Sequence, residues 1–447
     1  MSPARPPAVR RLSTLCLALL ALAAPAAAQA DTRLEAVAAL QAKAVEWRRD
    51  LHQHPELGNQ ETRTAQVVAD HLRSLGLDAH TGIGPTGVIA VLKGARPGPR
   101  IALRADMDAL PVTEATGLPF ASTARATYRG QDVGVMHACG HDMHVAILMG
   151  VAEALAGMRD QLAGEVVFVF QPAEEGPPEP GEVFGARRML DEGAFEPGRY
   201  LDGPPDAILG LHVWAGLHTG QLGFRAGPSL ASADEWSLTV TGRQTHGSRP
   251  WDGVDPITVG AQILLATQSM IARQINIVNT PVVLTAGQFQ SGVRFNIIPD
   301  DARLVGTLRT YDADVRQDVI DRFERIATGY AEAAGASAGL QVVNNAPATI
   351  NDPELARRVL PSLQATVGAD NVIEMPLQTI AEDFSQFANA VPGAYFFVGT
   401  TAAGEDPERM PINHSPHYAP DEAALEVGMR AMLRATLDLL DGAQAGR

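Results

Sequence analysis

Gly164-Glu165-Val166-Val167-Phe168-Val169-Phe170-Gln171, running on into Pro172-Ala173-Glu174-Glu175-Gly176, is the stretch on which the fold turns. Its first eight residues are almost continuously apolar and lack the alternation of a strand with one wet face. Such a strand is buried on both sides, as in sheets sandwiched between helices. Residues 207–213 have the same character, and 87–92 and 100–105 are shorter apolar runs bounded by Gly and Pro. Helical spacing recurs around them: 34–51, stopped before Pro55; 61–75, closed by Gly76; and 144–158. Helices alternating with buried strands predict an α/β fold with helices on both faces of the sheet.

From Glu235 the pattern changes. An alternating strand over 235–241, a helix after Pro256, strands at 282–288, 294–298 and 301–309, and a helix over 315–334 predict an antiparallel α+β unit. After 340–344 the earlier style resumes, with helices at 353–367 and 423–440 around a strand at 395–398. Residues 230–343 are therefore read as an inserted domain, interrupting a body made of 31–229 and 344–447. A mature length of about 417 residues fits two domains of ~100 to 200 residues each.

Residues 1–30 stand apart. Arg10 and Arg11 precede an apolar run from Leu12 to Ala24 that ends at Ala28-Gln29-Ala30, the pattern of a secretory signal with a small-residue cleavage site. The run is too short to span a bilayer, and no later segment approaches the ~20 apolar residues that spanning requires. The expectation is an exported protein, periplasmic or secreted, with a mature chain starting near Gln29 or Asp31. The formal charge is −16, and removing Arg5, Arg10 and Arg11 with the signal makes it −19. Nucleic acid and anionic membranes are poor partners for such a surface.

Two motif matches carry no chemistry. Gly82-Ile83-Gly84-Pro85-Thr86-Gly87 has dinucleotide-loop spacing but leads into a strand, and Pro85 removes a phosphate-facing amide. Gly335-Ala336-Ser337-Ala338-Gly339 has nucleophile-elbow spacing but runs from helix to strand, the reverse of what that elbow needs. The informative cluster is His137-Ala138-Cys139-Gly140-His141-Asp142-Met143-His144, three imidazoles and the only thiol of the mature chain within eight residues. Gly140 permits a sharp turn that lets Cys139 and His141 converge, and sulfur with imidazole suits zinc or a neighbouring transition ion. Asp142 is placed to orient a ligand. A structural zinc site would want four Cys/His ligands, and no further thiol exists. Glu174 and Glu175 leave their strand between Pro172 and Gly176, so both carboxylates can face one pocket, one as ligand and one as base; alone, such a pair reads as two solvated loop acids. His212 lies at the end of an apolar strand, where a lone histidine reads as a core residue. Asn413-His414-Ser415-Pro416-His417-Tyr418 offers two late candidates. Groups that follow strands gather where open α/β sheets bind ligands.

Together with Leu51-His52-Gln53-His54-Pro55-Glu56-Leu57, Glu61, Thr64 and Arg104-Ala105-Asp106-Met107-Asp108-Ala109-Leu110-Pro111, these motifs resemble the aminoacylase and carboxypeptidase-like zinc amidohydrolases, in particular the hippurate hydrolase and indoleacetyl-amino-acid hydrolase branch. The likeness spans nearly the whole mature chain. It implies a zinc-peptidase-like α/β catalytic domain with a mixed sheet, interrupted by an α+β lid or oligomerisation domain. It also implies that Cys139, His141, Glu175, His212 and His414 hold two divalent metal ions, zinc or else Mn2+, Co2+ or Ni2+, with Glu174 as catalytic base and Asp108 supporting a ligand. His417, three places after His414, is a second candidate for the last ligand. In the inserted domain, His246 matches a histidine that reaches a substrate carbonyl, commonly from a neighbouring subunit, and Asn296 one that holds substrate. The implied reaction is hydrolysis of the amide of an N-acyl amino acid, such as a hippurate-like or ochratoxin-type conjugate, by a homo-oligomer. A dipeptidase or carboxypeptidase would need the same centre. A secreted metal-binding protein without turnover is the rival of another class, and it would have no use for a spare carboxylate at Glu174.

Overall fold

The structure, a computed structural model, describes residues 24–179 and 181–442. The export signal read at residues 1–30 lies, up to residue 23, outside the described residues. Eight strands form one mixed sheet, in the order Ala79–Ile83, Gly87–Lys93, Ala163–Gln171, Arg96–Asp106, Ala207–His218, Gly393–Thr401, Leu222–Phe224, Val372–Glu374. The four strands from Ala163–Gln171 to Gly393–Thr401 run parallel, and antiparallel strands flank them. Side-chain alternation explains why Ala163–Gln171 is apolar throughout. Val166, Phe168 and Phe170 enter the core beneath the long helices, and Val167 and Val169 enter the core on the opposite face. Burying each such side chain contributes about 1.5–3 kcal/mol.

The first core is roofed by helices Ala24–Gln53, Thr62–Ser74, His141–Gly157, Pro353–Val367 and Ala424–Gly442, the second partly by the short helices Gly185–Asp191 and Phe384–Ala390. Helix His141–Gly157 is packed on nearly every side, which accounts for its apolar sequence.

A second sheet has the order Val283–Ser291, Asp301–Arg309, Ala233–Thr241, Ser337–Ala346, all antiparallel. Ala233–Thr241 alternates buried and open positions, and its inward residues Trp236, Leu238 and Val240 meet Val259 and Ile263 of helix Pro256–Gln274 and Phe323 of helix Ala313–Ala333. Two details differ from the sequence expectation. The strand expected at 294–298 shrinks to Ile297–Ile298, paired with Thr245–His246. Gly292 at φ 64° and Pro299 bracket the rest, leaving Val293 and Phe295 as exposed loop residues. Strand Ser337–Ala346 also runs past residue 343 and stays in the small sheet. The two chain crossings between sheets lie side by side, because Gly227–Leu230 pairs antiparallel with Thr349–Asn351.

Candidate metal centre

Helix His141–Gly157 begins at Gly140, whose φ of 96° belongs to the left-handed region. A Cβ there would stand 2.4 Å from Val213 Cγ2, so the turn needs glycine for both conformation and space. It brings Cys139 Sγ to 3.3 Å from His212 Nε2. His141 Nδ1 lies 2.8 Å from the Asp108 carbonyl and His212 Nδ1 lies 2.7 Å from the Val213 carbonyl. A carbonyl only accepts, so both Nδ1 atoms carry a proton and both rings turn Nε2 toward the cluster, the arrangement of metal-binding histidines. Buried His141 Nε2 has no hydrogen-bond partner among the described residues.

The glutamates arrive from strand Ala163–Gln171 through Ala173 at φ 48° and leave through Gly176 at φ 96°. The Asp108 carboxylate accepts the Glu174 and Glu175 N–H groups at 3.1 and 2.9 Å. Glu175 Oε1 is 2.9 Å from His414 Nε2, and the His414 N–H donates to the Ala138 carbonyl at 2.8 Å. Donor atoms therefore fall into overlapping triplets, each within 4.8 Å: Cys139, His141 and His212; Cys139, Glu175 and His414; His141, Glu174 and Glu175.

Beneath the glutamates lies buried Arg104. It pairs with Asp106 at 2.7 Å, Glu382 at 2.8 Å and Asp383 at 3.3 Å, and Tyr395 O–H donates to Glu382 at 2.6 Å. One arginine does not balance this many acids. Burial, then Glu382 and Glu175, hold the Glu174 carboxyl well above the usual range, and burial with Glu175 and Glu174 pushes the Cys139 thiol up. Burial opposes charge on His141, yet Asp106 and Asp108 outweigh it and raise the ring to about 10. Burial drives His212 the other way, well below its ordinary value. Buried carboxylates in excess over cations are costly unless cations join them. An excess of acids beside a thiol and two imidazole Nε2 atoms is a donor set that fits divalent metal.

Other residues lie elsewhere than sequence reasoning put them. Asp142 makes no hydrogen bond to a donor residue among the described residues; it faces Arg48 Nε at 2.8 Å and His52 Nδ1 at 2.9 Å, because the first helical turn aims it at helix Ala24–Gln53. His212 sits within strand Ala207–His218, not at its end, two residues beyond Gly210, the last one paired with Arg96–Asp106, and opposite Phe397 of strand Gly393–Thr401. His417 bonds the Ala115 carbonyl at 2.9 Å and joins none of the donor triplets, so of the two late histidines only His414 enters the cluster. His246 and Asn296 adjoin each other on the second sheet's periphery, where Gly247 N–H donates to the Asn296 carbonyl at 2.8 Å. No hydrogen bond or ion pair among the described residues ties either side chain to the donor cluster. Asp106, Glu382 and Asp383 were missed as site residues; only Asp106, inside a quoted motif, left a signal.

A cavity of about 400 Å³ opens on Cys139, Glu174 and Glu175 and is walled by Trp214, Leu230, Ile380, Phe397 and Ile412.

Fold and donor set together define a hydrolase with a two-metal centre at the carboxyl ends of sheet strands. The chain belongs to peptidase family M20/M25/M40, whose sequence profile matches residues 102–438. Thermostable carboxypeptidase 1 of Saccharolobus solfataricus is 38% identical over 389 residues, 87% of this chain and 93% of its own. The N-acyl-L-amino acid amidohydrolase of Geobacillus stearothermophilus is 39% identical over 293 residues, 66% of this chain and 74% of its own. In three dimensions the chain is similar to the Bacillus subtilis YXEP protein, a dinuclear metal binding peptidase from the M20 family, with a TM-score of 0.74 at 32% identity over 90% of this chain and 99% of that one. The protein is thus a hydrolase of the amidohydrolase and carboxypeptidase type with a dinuclear metal site. A purely metal-binding role falls away.

Proposed function

We propose that the protein cleaves the amide of N-acyl amino acids with a bulky apolar or aromatic half, hippurate-like conjugates and ochratoxin-type amides among them, to a carboxylate and a free amino acid. The observation that carries this reading is the apolar cavity opening on Glu174. Cys139, His141, Glu175, His212 and His414 hold the metal ions, and a thiol with imidazoles and a carboxylate favours zinc, with Mn2+, Co2+ or Ni2+ also accommodated. Bound metal supplies Lewis acidity and makes water acidic enough to attack at neutral pH. Glu174, buried beside Glu175 and Glu382 where the cavity opens, takes the proton from the attacking water and returns it to the departing nitrogen. Asp108 keeps both glutamates in place through their N–H groups.

His246 accepts the Ser248 N–H at Nδ1, 3.1 Å away, so its proton sits on Nε2, ready for a substrate oxygen. We assign that oxygen to a second copy of the chain, with residues 230–343 as lid and dimerisation domain and Asn296 beside the bound substrate. Export after cleavage near Gln29 or Asp31 places the reaction outside the cytoplasm. The likeness to a carboxypeptidase favours one second reading, cleavage of dipeptides or C-terminal residues at the same centre. A panel of N-benzoyl, N-acetyl and dipeptide substrates, with metal content measured in parallel, separates the two. Preference for dipeptides or acetyl compounds over benzoyl ones would reject the first.

A further inference from the structure

Three successive N–H groups, those of Ala173, Glu174 and Glu175, point at just two buried carboxylates. Asp108 takes the second and third. The first belongs to Glu61 Oε1, at 2.8 Å, whose other oxygen accepts Thr86 O–H at 2.5 Å. Consecutive amides converging on an anion form a nest, which needs a left-handed residue within it. Here that residue is Ala173, at φ 48°, a conformation that a Cβ disfavours. An alanine stays there only if its surroundings over-determine it. Among the described residues, Glu61 is the acceptor for Ala173's own N–H. The loop before Glu61 is pressed against the same turn: a Cβ on Gly58 would come within 2.8 Å of the Gly176 carbonyl oxygen and 3.1 Å of Ala173 Cα.

We infer that Glu61 is a positioning residue for the Glu174–Glu175 pair, because its grip on the Ala173 amide holds the turn that aims both carboxylates into the donor cluster. The assignment of jobs to those two carboxylates rests on the proposed function; the clasp itself acts on metal binding whatever the substrate. Glu61 is wholly buried, and burial beside Asp108 pushes its carboxyl up to about 8, so near neutral pH a glutamine is a close mimic of it.

Two substitutions pull apart reach and acidity. Glu61→Gln keeps the oxygen that meets the Ala173 amide and removes the ionisable carboxyl; Glu61→Asp keeps an ionisable carboxyl and withdraws the oxygen by one methylene. With purified enzyme, Zn2+ affinity is read by competition with a chromophoric chelator, and folding by circular dichroism. Glu61→Gln stays close to wild type, and Glu61→Asp loses about 10- to 100-fold in affinity, as expected when a residue supporting a metal ligand is removed. Ala173→Gly in the Glu61→Asp background restores part of the loss, since glycine takes positive φ without strain. If Glu61→Asp is folded and binds Zn2+ like wild type, or if Glu61→Gln is the more damaged of the two, the clasp is refuted. A wild-type enzyme inactive on every N-acyl amino acid would overturn the proposed function and leave this affinity comparison intact.

Discussion

Glu174 and Glu175 are chemically alike and differ in what their oxygens meet. Glu175 reaches His414, and Glu174 faces the cavity above Arg104's acid partners. Glu174→Gln is therefore expected to keep its metal while single-turnover rates fall by about 10²- to 10⁴-fold, the usual contribution of general acid–base catalysis. Glu175→Gln loses metal and activity together and recovers partly in excess metal; equal metal content in the two variants would contradict these roles. His137 gives a separate reading through pH. It is buried with both ring nitrogens unpartnered among the described residues, and burial lowers it to about 3. A histidine whose folded value is depressed contributes stability above its ordinary value near 6.5, and that stability is lost as pH falls toward 3. His137→Gln should flatten the decline of thermal midpoint between pH 6.5 and 4, at constant metal occupancy. An unchanged decline would show that other groups set the acid limb.

At the level of elements, helix Ala24–Gln53 grips the first turn of helix His141–Gly157 through Arg48 and His52 on Asp142, all three wholly buried. Removing one partner of a buried ion pair strands the other and costs about 3–5 kcal/mol. Asp142→Ala should accordingly lower stability by that amount and weaken metal binding, because the same turn carries Cys139 and His141. Retained stability in denaturant titrations would rule this out. Such contacts also explain what could be read beforehand. The buried strands, the long helices and the shift at Glu235 write themselves into periodicity, and Cys139, His141 and Glu174 stand out as unusual neighbours. Glu382 does not: it meets Arg104 across 278 positions, and nothing local marks it. Short strands such as Leu222–Phe224 and Thr349–Asn351 hold too few residues for a period to show. Ala173 is concealed for another reason, since nothing in an alanine announces a positive φ.

For the molecule as a whole, Trp251, 73% exposed, and Phe295, 97% exposed, lie close in sequence to His246 and Asn296. Large side chains this open beside the candidate substrate-contacting residues are suited to cover by a second copy. Mixing inactive His246→Ala with inactive Glu174→Gln is expected to restore partial activity by subunit exchange, assayed after confirming mixed oligomers by mass. Mixed oligomers that remain inactive would place His246 in its own subunit's reaction or in none. The paired crossings at Gly227–Leu230 and Thr349–Asn351 also divide the chain in time. During synthesis, Cys139, His141, Glu175 and His212 leave the ribosome before the small sheet is made, and His414 only after it. Strand Gly393–Thr401, which shields the edge of His212's strand, is equally late. A nascent chain thus carries the proposed ligand set incomplete and open-edged until His414 emerges, which on that proposal puts completion of the metal site among the last steps of synthesis.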